Sequence, residues 1–191
     1  MEMQSIMIVG VGGQGTLLAS RILGSVSLSR GYDVKISEVH GMAQRGGSVV
    51  TYVKTAGEVM SPVIAKGEAD VILAFEELEA ARWLPYLKKD GTMIINTQKI
   101  EPMTVITGAT EYPDGLCAEI EGKAKGTVCV DGLALACKAG NPKAVNVVLI
   151  GVLAALCKTD KGMWTRAVEE MVPEKFKEVN LRAFELGYES Q

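Results

Sequence analysis

Apolar positions along the 191-residue chain recur with two different periods, and the places where the period changes mark the ends of elements. Ser5 to Val9 is a short apolar run that ends in Gly10-Val11-Gly12-Gly13-Gln14-Gly15, after which Leu17, Leu18, Ile22 and Leu23 recur at helical spacing. The order is strand, glycine turn, helix. Gly31 stands just past that helix, where a C-terminal cap is expected, and Tyr32 to Val39 sets Val34, Ile36 and Val39 among polar residues as a second strand would. Together these predict one βαβ unit.

His40-Gly41-Met42-Ala43-Gln44-Arg45-Gly46-Gly47 is too rich in glycine for a regular element, so it is read as a loop feeding a third strand over Ser48 to Val53. Asp70 to Phe75 is apolar on both faces, as in a central parallel strand, and Glu76 to Lys89 carries Leu78, Ala81, Leu84 and Leu87 on a helical face. Further strands are expected at Thr92 to Asn96, near Thr104 to Ile106, and at Gly126 to Val130, with Glu111 to Gly115 irregular. Asp131 to Lys138 reads as a short helix closed by Gly140. Asn141 and Pro142 then cap and open an apolar helix over Ala144 to Cys157. Such a helix needs cover all round, from the sheet on one side and, on the other, from charged helices at Asp160 to Met171 and Pro173 to Gly187 or from a partner. Alternating strands and helices predict an α/β fold: a Rossmann-like, mostly parallel sheet with helices on both faces and the C-terminal helices packed on it. A single domain over 1–191 is expected.

Composition removes several function classes. Apolar residues make up 48% and charged residues 23%, which is incompatible with a disordered chain. Twenty Lys and Arg against 23 Asp and Glu leave a net charge of -3, against a nucleic-acid partner. The longest apolar run, Ala144 to Cys157, falls short of the roughly 20 residues that cross a bilayer, and Met1-Glu2-Met3 has no basic leader region, so a cytoplasmic location and no membrane partner are expected. Cys117, Cys129, Cys137 and Cys157 contain no C-x-x-C pair, which excludes the usual iron-sulfur spacings and a zinc ribbon; they are expected reduced and mostly packed inside. His40 is the one histidine, so a multi-histidine metal site is excluded and no metal is expected on this chain.

Two constellations remain. Gly10, Gly12 and Gly15, with Gly13 and Gln14 between them, satisfy G-x-G-x-x-G between a strand and a helix, where the helix N-terminus offers free N–H groups to an anion. Glu38, 23 positions beyond Gly15, falls near the place of a ribose-binding carboxylate. Read alone, this is a dinucleotide site; the plainer alternative is that the glycines only turn and pack the chain while Gln14 fixes the loop. In the second loop, His40, Gln44 and Arg45 sit among Gly41, Gly46 and Gly47. Glycines admit a close backbone approach and arginine a planar fork for carboxylate or phosphate, which suits an anionic substrate group or a subunit contact. A solvated loop with Arg45 paired to Glu38 or Glu76 is the alternative. His40 is more often a structural residue than a general base, and Glu76, Glu77 and Glu79 are better explained as the start of a helix than as acid–base groups. Both loops follow strands, so both belong at the ligand-binding edge of the sheet, as neighbours.

GVGGQGTLLASRIL followed by SEVHGMAQRGGSVVTYVK resembles the gamma-type subunit or domain of 2-oxoacid:ferredoxin oxidoreductases, and the likeness continues through Ser61-Pro62, ADVILAFEELEAARWLPYL and NVVLIGVLAAL. Within that family the chain is most similar to the indolepyruvate ferredoxin oxidoreductase beta-type branch; pyruvate and ketoisovalerate gamma subunits are the alternative branches, and a stand-alone nucleotide-binding oxidoreductase is the alternative outside it. The resemblance implies a heteromer that decarboxylates a 2-oxoacid on thiamine diphosphate, passes electrons through iron-sulfur clusters to ferredoxin and releases an acyl-coenzyme A. This chain has no G-D-G followed by N-N for thiamine diphosphate and Mg, Val130-Asp131-Gly132 being the nearest approach, and no cluster-binding cysteine run. The resemblance therefore also implies a large catalytic partner subunit carrying thiamine diphosphate, Mg and iron-sulfur clusters, coenzyme A as co-substrate, no tightly bound cofactor here, and an inactive isolated chain. The two glycine loops would face that partner and help close the substrate and coenzyme A cavity, with Arg45 on an anionic group.

Overall fold

The computed structural model describes residues 4–41, 47–157 and 159–191. In chain order the elements are β1 (Ser5–Val11), α1 (Thr16–Ser29), β2 (Asp33–His40), β3 (Ser48–Ala56), β4 (Ala69–Ala74), α2 (Glu77–Trp83), β5 (Leu87–Asn96), α3 (Met103–Ile106), α4 (Leu116–Lys123), β6 (Gly126–Val130), α5 (Gly132–Ala139), α6 (Val145–Leu156), α7 (Lys161–Met171) and α8 (Lys177–Glu189). The strands form one six-stranded sheet in the order β2-β3-β1-β4-β5-β6. β1, β4, β5 and β6 are parallel neighbours, while β3 runs antiparallel to both β1 and β2.

That order corrects the expected βαβ unit, because β2 is not the neighbour of β1. A parallel crossover needs a dozen or more residues, and only residues 41–47 separate β2 from β3. β3 therefore returns antiparallel along β2 and takes the place beside β1, which pushes β2 to the sheet edge.

Period-two alternation divides the core. Ile6, Ile8, Val71, Leu73 and Ile94 face the layer of α1, α5, α6, α7 and α8, while Met7, Val9, Ile72, Met93 and Ile95 face α2 and α4. α6 is buried from Val145 through Ala154, with α8 packed along it. Its cover is the one expected, sheet on one side and charged helix on the other. Gly31 follows α1 with φ of 81°, Gly140 closes α5 with φ of 108°, and Asn141 Oδ1 accepts from Lys143 N at 3.0 Å, as the capping signals predicted.

Three expectations fail locally. The helix predicted to Lys89 ends at Trp83, because Pro85 has no N–H and cannot sit inside a continuing helix; a 3-10 turn over Leu84–Tyr86 leads straight into β5. Thr104 to Ile106 lies in the single-turn helix α3, where Pro102 starts the turn and Gly108 closes it with φ of 74°; three successive β-branched residues favour a strand only until those two residues are counted. α4 has no counterpart among the predicted elements. None of the four cysteines is in a disulfide, but only Cys157 is buried, with Cys117 and Cys129 half-buried and Cys137 exposed.

Candidate functional site

The first glycine loop leaves β1 at the carboxyl edge of the parallel strands. Gln14 turns back over it: Val11 N donates to Gln14 Oε1 at 2.7 Å, and Gln14 Nε2 donates to the Phe75 carbonyl at 2.9 Å. A Cβ at Gly10 would stand 2.7 Å from Gln14 Oε1 and 3.0 Å from Phe75 Cβ, so glycine is needed there for the loop to fold under its own side chain. Gly13 and Gly15 have φ of 98° and 83°, the left-handed region that favours glycine. Above Gly15 sits Asn146 of α6, whose Nδ2 donates to the Gly15 carbonyl at 3.2 Å and occupies the space a Cβ would take.

The same carbonyl of Phe75 also accepts from Asn96 Nδ2 at 3.0 Å, and Asn96 Oδ1 accepts from Gly132 N at 3.0 Å. Three side-chain amides, on the glycine loop, β5 and α6, thus fasten the ends of β1, β4, β5 and β6 to one another. Asn96 and Asn146 are buried and Gln14 half-buried, and buried amides paired in this way hold a site rigid. A cavity of about 310 Å³ opens beside them, lined by Gly13, Gln14, Gly15, Gln98, Lys143 and Val145 among others. The N-terminus of the 14-residue α1 and the Lys143 ammonium both favour an anion there.

The second loop is a neighbour of the first, as expected, since Gly12 N donates to the Gly47 carbonyl at 2.9 Å and Val11 pairs with Ser48. His40 ends β2 opposite Val49, exposed, and Gly41 is exposed after it. Gln44, Arg45 and Gly46 lie outside the described residues. Glu38 does return toward the start of α1, but its Oε2 accepts from Thr16 Oγ1 and Thr51 Oγ1, each at 3.2 Å, so it ties the edge strand to α1 and β3.

The glutamates at α2 act as helix-start groups. Glu76 is the N-cap, its Oε2 accepting from Glu79 N at 2.9 Å, while its Oε1 takes Ile100 N at 3.2 Å and the Tyr112 hydroxyl. Burial and the Glu76 carboxylate push the Tyr112 phenol far up, so it stays a donor. Glu79 accepts from Arg82 Nε, Trp83 Nε1 and Ser48 Oγ. Burial also raises Glu77, with Lys99 opposing and Glu76 reinforcing.

Gln98, Lys143 and Asn146 carry no signal in the sequence that assigns them to this site. Each is remote from the G-x-G-x-x-G in the chain, and only the fold brings it there; the cap at Asn141-Pro142 is the one local feature that points to that corner. Among the described residues no cluster of His, Cys, Asp or Glu is arranged to hold a metal ion, and no helix is long and apolar enough to cross a membrane.

Similarity to known proteins agrees with this architecture. The chain is 42% identical over 192 residues to the indolepyruvate oxidoreductase subunit IorB of Thermococcus kodakarensis, covering 98% of this chain and 95% of that protein. It is 42% identical over 195 residues to the protein of the same name from Pyrococcus horikoshii, with the same coverage. Among solved structures, the gamma subunit of a keto/oxoacid ferredoxin oxidoreductase from Geobacter sulfurreducens has the same fold, with a TM-score of 0.73 at 24% identity over 97% of this chain and 96% of that one. Residues 5–190 match the pyruvate ferredoxin/flavodoxin oxidoreductase family, and the chain belongs to that family as a gamma-type oxidoreductase subunit.

Proposed function

We propose that this chain is the small subunit of an indolepyruvate ferredoxin oxidoreductase, acting in the cytoplasm as one gamma-type domain over 1–191. The observation that carries the substrate assignment is the 42% identity, over nearly the full length, to two indolepyruvate oxidoreductase subunits. A larger catalytic subunit supplies thiamine diphosphate, Mg and the iron-sulfur clusters, for which this sequence has no ligand run, and ferredoxin takes the electrons from the complex. Coenzyme A enters as co-substrate.

In this assembly the carboxyl edge of the sheet meets the large subunit. Gly10, Gly12, Gly13, Gln14 and Gly15 form a rigid floor in which the N–H groups of Gly13 and Gly15, with neighbouring Lys143, hold an anionic group of coenzyme A, and Glu38 braces the start of α1. His40, Gly41, Gln44, Arg45, Gly46 and Gly47 form the loop that touches the partner, with Arg45 on an anionic group. The support for this role is the cavity beside Gly13 and Gly15, where helix terminus and lysine add their charges.

The test is reconstitution of the complex, with indolepyruvate-dependent reduction of ferredoxin followed as coenzyme A is varied. Lys143→Ala and Arg45→Ala should raise KM for coenzyme A by about tenfold each, the loss of one charge-assisted contact. Unchanged assembly and unchanged coenzyme A dependence in Arg45→Ala would remove its role. Oxidation of indolepyruvate by the isolated chain would overturn the subunit assignment itself.

A further inference from the structure

β2 is an edge strand of eight residues, and it pairs with β3 in unbroken register from Asp33 opposite Ala56 to His40 opposite Val49. It contains no proline and no bulge, and Lys35 is its one basic deterrent to further pairing apart from the terminal histidine. The opposite edge, β6, has only five residues and begins at Gly126. A long, regular edge of this kind is a template for another strand.

The edge also borders an apolar groove. Gly24 on α1 has no side chain, and Ile36 Cδ1 lies 3.2 Å from where its Cβ would be, so the helix sinks close to β2. The result is a groove of about 500 Å³ walled by Leu28, Val34, Ile36 and Met171, with Arg21 at its rim. Leu28 is 63% exposed and Ile36 40% exposed. Met171 is 37% exposed on the groove and Leu17 46% exposed further along α1, so with Leu28 and Ile36 they leave roughly a few hundred Å² of apolar surface, the order of the apolar share of one side of a standard interface of ~800 Å².

We infer that β2 pairs antiparallel with β2 of a second copy about a two-fold axis normal to the sheet, giving a continuous sheet with the two α1 helices side by side. Such an axis keeps the faces of the sheet, so each residue stands opposite one of the same parity. Centring on Lys35 would set lysine against lysine, and on Glu38 glutamate against glutamate, both unfavourable. Centring on Ser37 would put Ile36 opposite Glu38. Centring on Ile36 sets isoleucine against isoleucine and turns the two grooves toward each other, so that each copy's apolar wall covers the other's. This register leaves Val34 opposite Glu38, so it rests on the central isoleucine pair and on the facing grooves rather than on the flanking charges.

Sedimentation velocity and light scattering on the full chain, over a concentration series, test it. The parent chain should be a dimer. Ile36→Lys should weaken it at least about a hundredfold, since two buried isoleucines are lost and two ammonium groups meet on the axis. Leu28→Lys, on the helix side of the groove and away from the strand, should weaken it as well and remains informative if the strand variant does not fold. Met103→Lys, an exposed apolar position on a different part of the molecule, should leave the dimer intact. A parent chain that stays monomeric, or a dimer indifferent to both Ile36→Lys and Leu28→Lys, overturns the proposal. So does an Ile36→Lys chain that remains dimeric but no longer binds the large subunit, because the edge would then belong to that subunit.

Discussion

Gly151 of α6 and Gly187 of α8 are the two halves of one close helix crossing. A Cβ at Gly151 would run into the Phe184 carbonyl on α8, and a Cβ at Gly187 would run into the Val148 carbonyl on α6. The backbones therefore approach at a distance that only paired glycines permit, and the wholly apolar α6 gains its outer cover from a helix with a polar far side.

Gly151→Ala and Gly187→Ala should each destabilise the fold by about 2 kcal/mol, within the range for overpacked cores. Urea unfolding followed by circular dichroism measures this. The double variant should lose less than the sum of the singles, because both force the same two helices apart. Wild-type stability in either single variant would show that the crossing relaxes without cost.

Glu76 holds the excursion between β5 and α4 in place through Ile100 N and the Tyr112 hydroxyl, from a position that is 1% exposed. Removing the carboxylate leaves buried donors without an acceptor, and Glu76→Ala should cost about 3 kcal/mol. Hydrogen exchange should speed up first in residues 98–114 and at Glu79 N in the first turn of α2, with β1 and β4 affected only through the loss of global stability. Tyr112→Phe should reproduce the local effect in weaker form. Acceleration spread evenly over the whole sheet would contradict this assignment.

Glu77 is 7% exposed and burial raises its carboxyl above the ordinary value of 4.5. The folded state then binds that proton more tightly than the unfolded chain, so the contribution is fully present below the unfolded value and is lost as pH rises through the folded one. Glu77→Gln, neutral throughout, should be more stable than the parent at pH 7, and the advantage should have all but vanished at a pH about one unit below the ordinary value of 4.5. Denaturant midpoints at the two pH values decide it; a difference independent of pH would rule out the titration as cause.

The four thiols should alkylate in an order set by exposure. Cys137 is exposed and should react first. Burial raises the thiols of Cys117 and Cys129, and pushes Cys157 up to about 12, where it also donates to the Leu153 carbonyl at 2.8 Å. Brief iodoacetamide treatment at pH 8 followed by peptide mass spectrometry should find Cys137 modified, Cys117 and Cys129 modified slowly, and Cys157 only after unfolding. Early labelling of Cys157 would mean that the α6 end opens readily.

Local signals are legible wherever one residue's own stereochemistry decides the outcome. The turn at Gly10 to Gly15, the caps at Gly31, Gly140 and Asn141, and the strand Gly126 to Val130 rest on φ preferences and side-chain period, and the structure has each of them. Pro85 is equally plain in the sequence but is outweighed there by the apolar spacing on either side of it. Thr104 to Ile106 misleads because β-branching reports a strand preference that a proline and a glycine two residues away override.

The sequence by itself determined the α/β class, the glycine loop between β1 and α1, the family, and the presence of two loops at one edge, because these rest on short-range geometry and on a motif contiguous in the chain. Only the tertiary structure decided that β3 lies between β1 and β2, that Asn146 and Lys143 join the first glycine loop, and that Gly151 meets Gly187. Strand order and helix crossings depend on which distant surfaces bury one another best, and that choice is a property of the whole core rather than of any window along the chain.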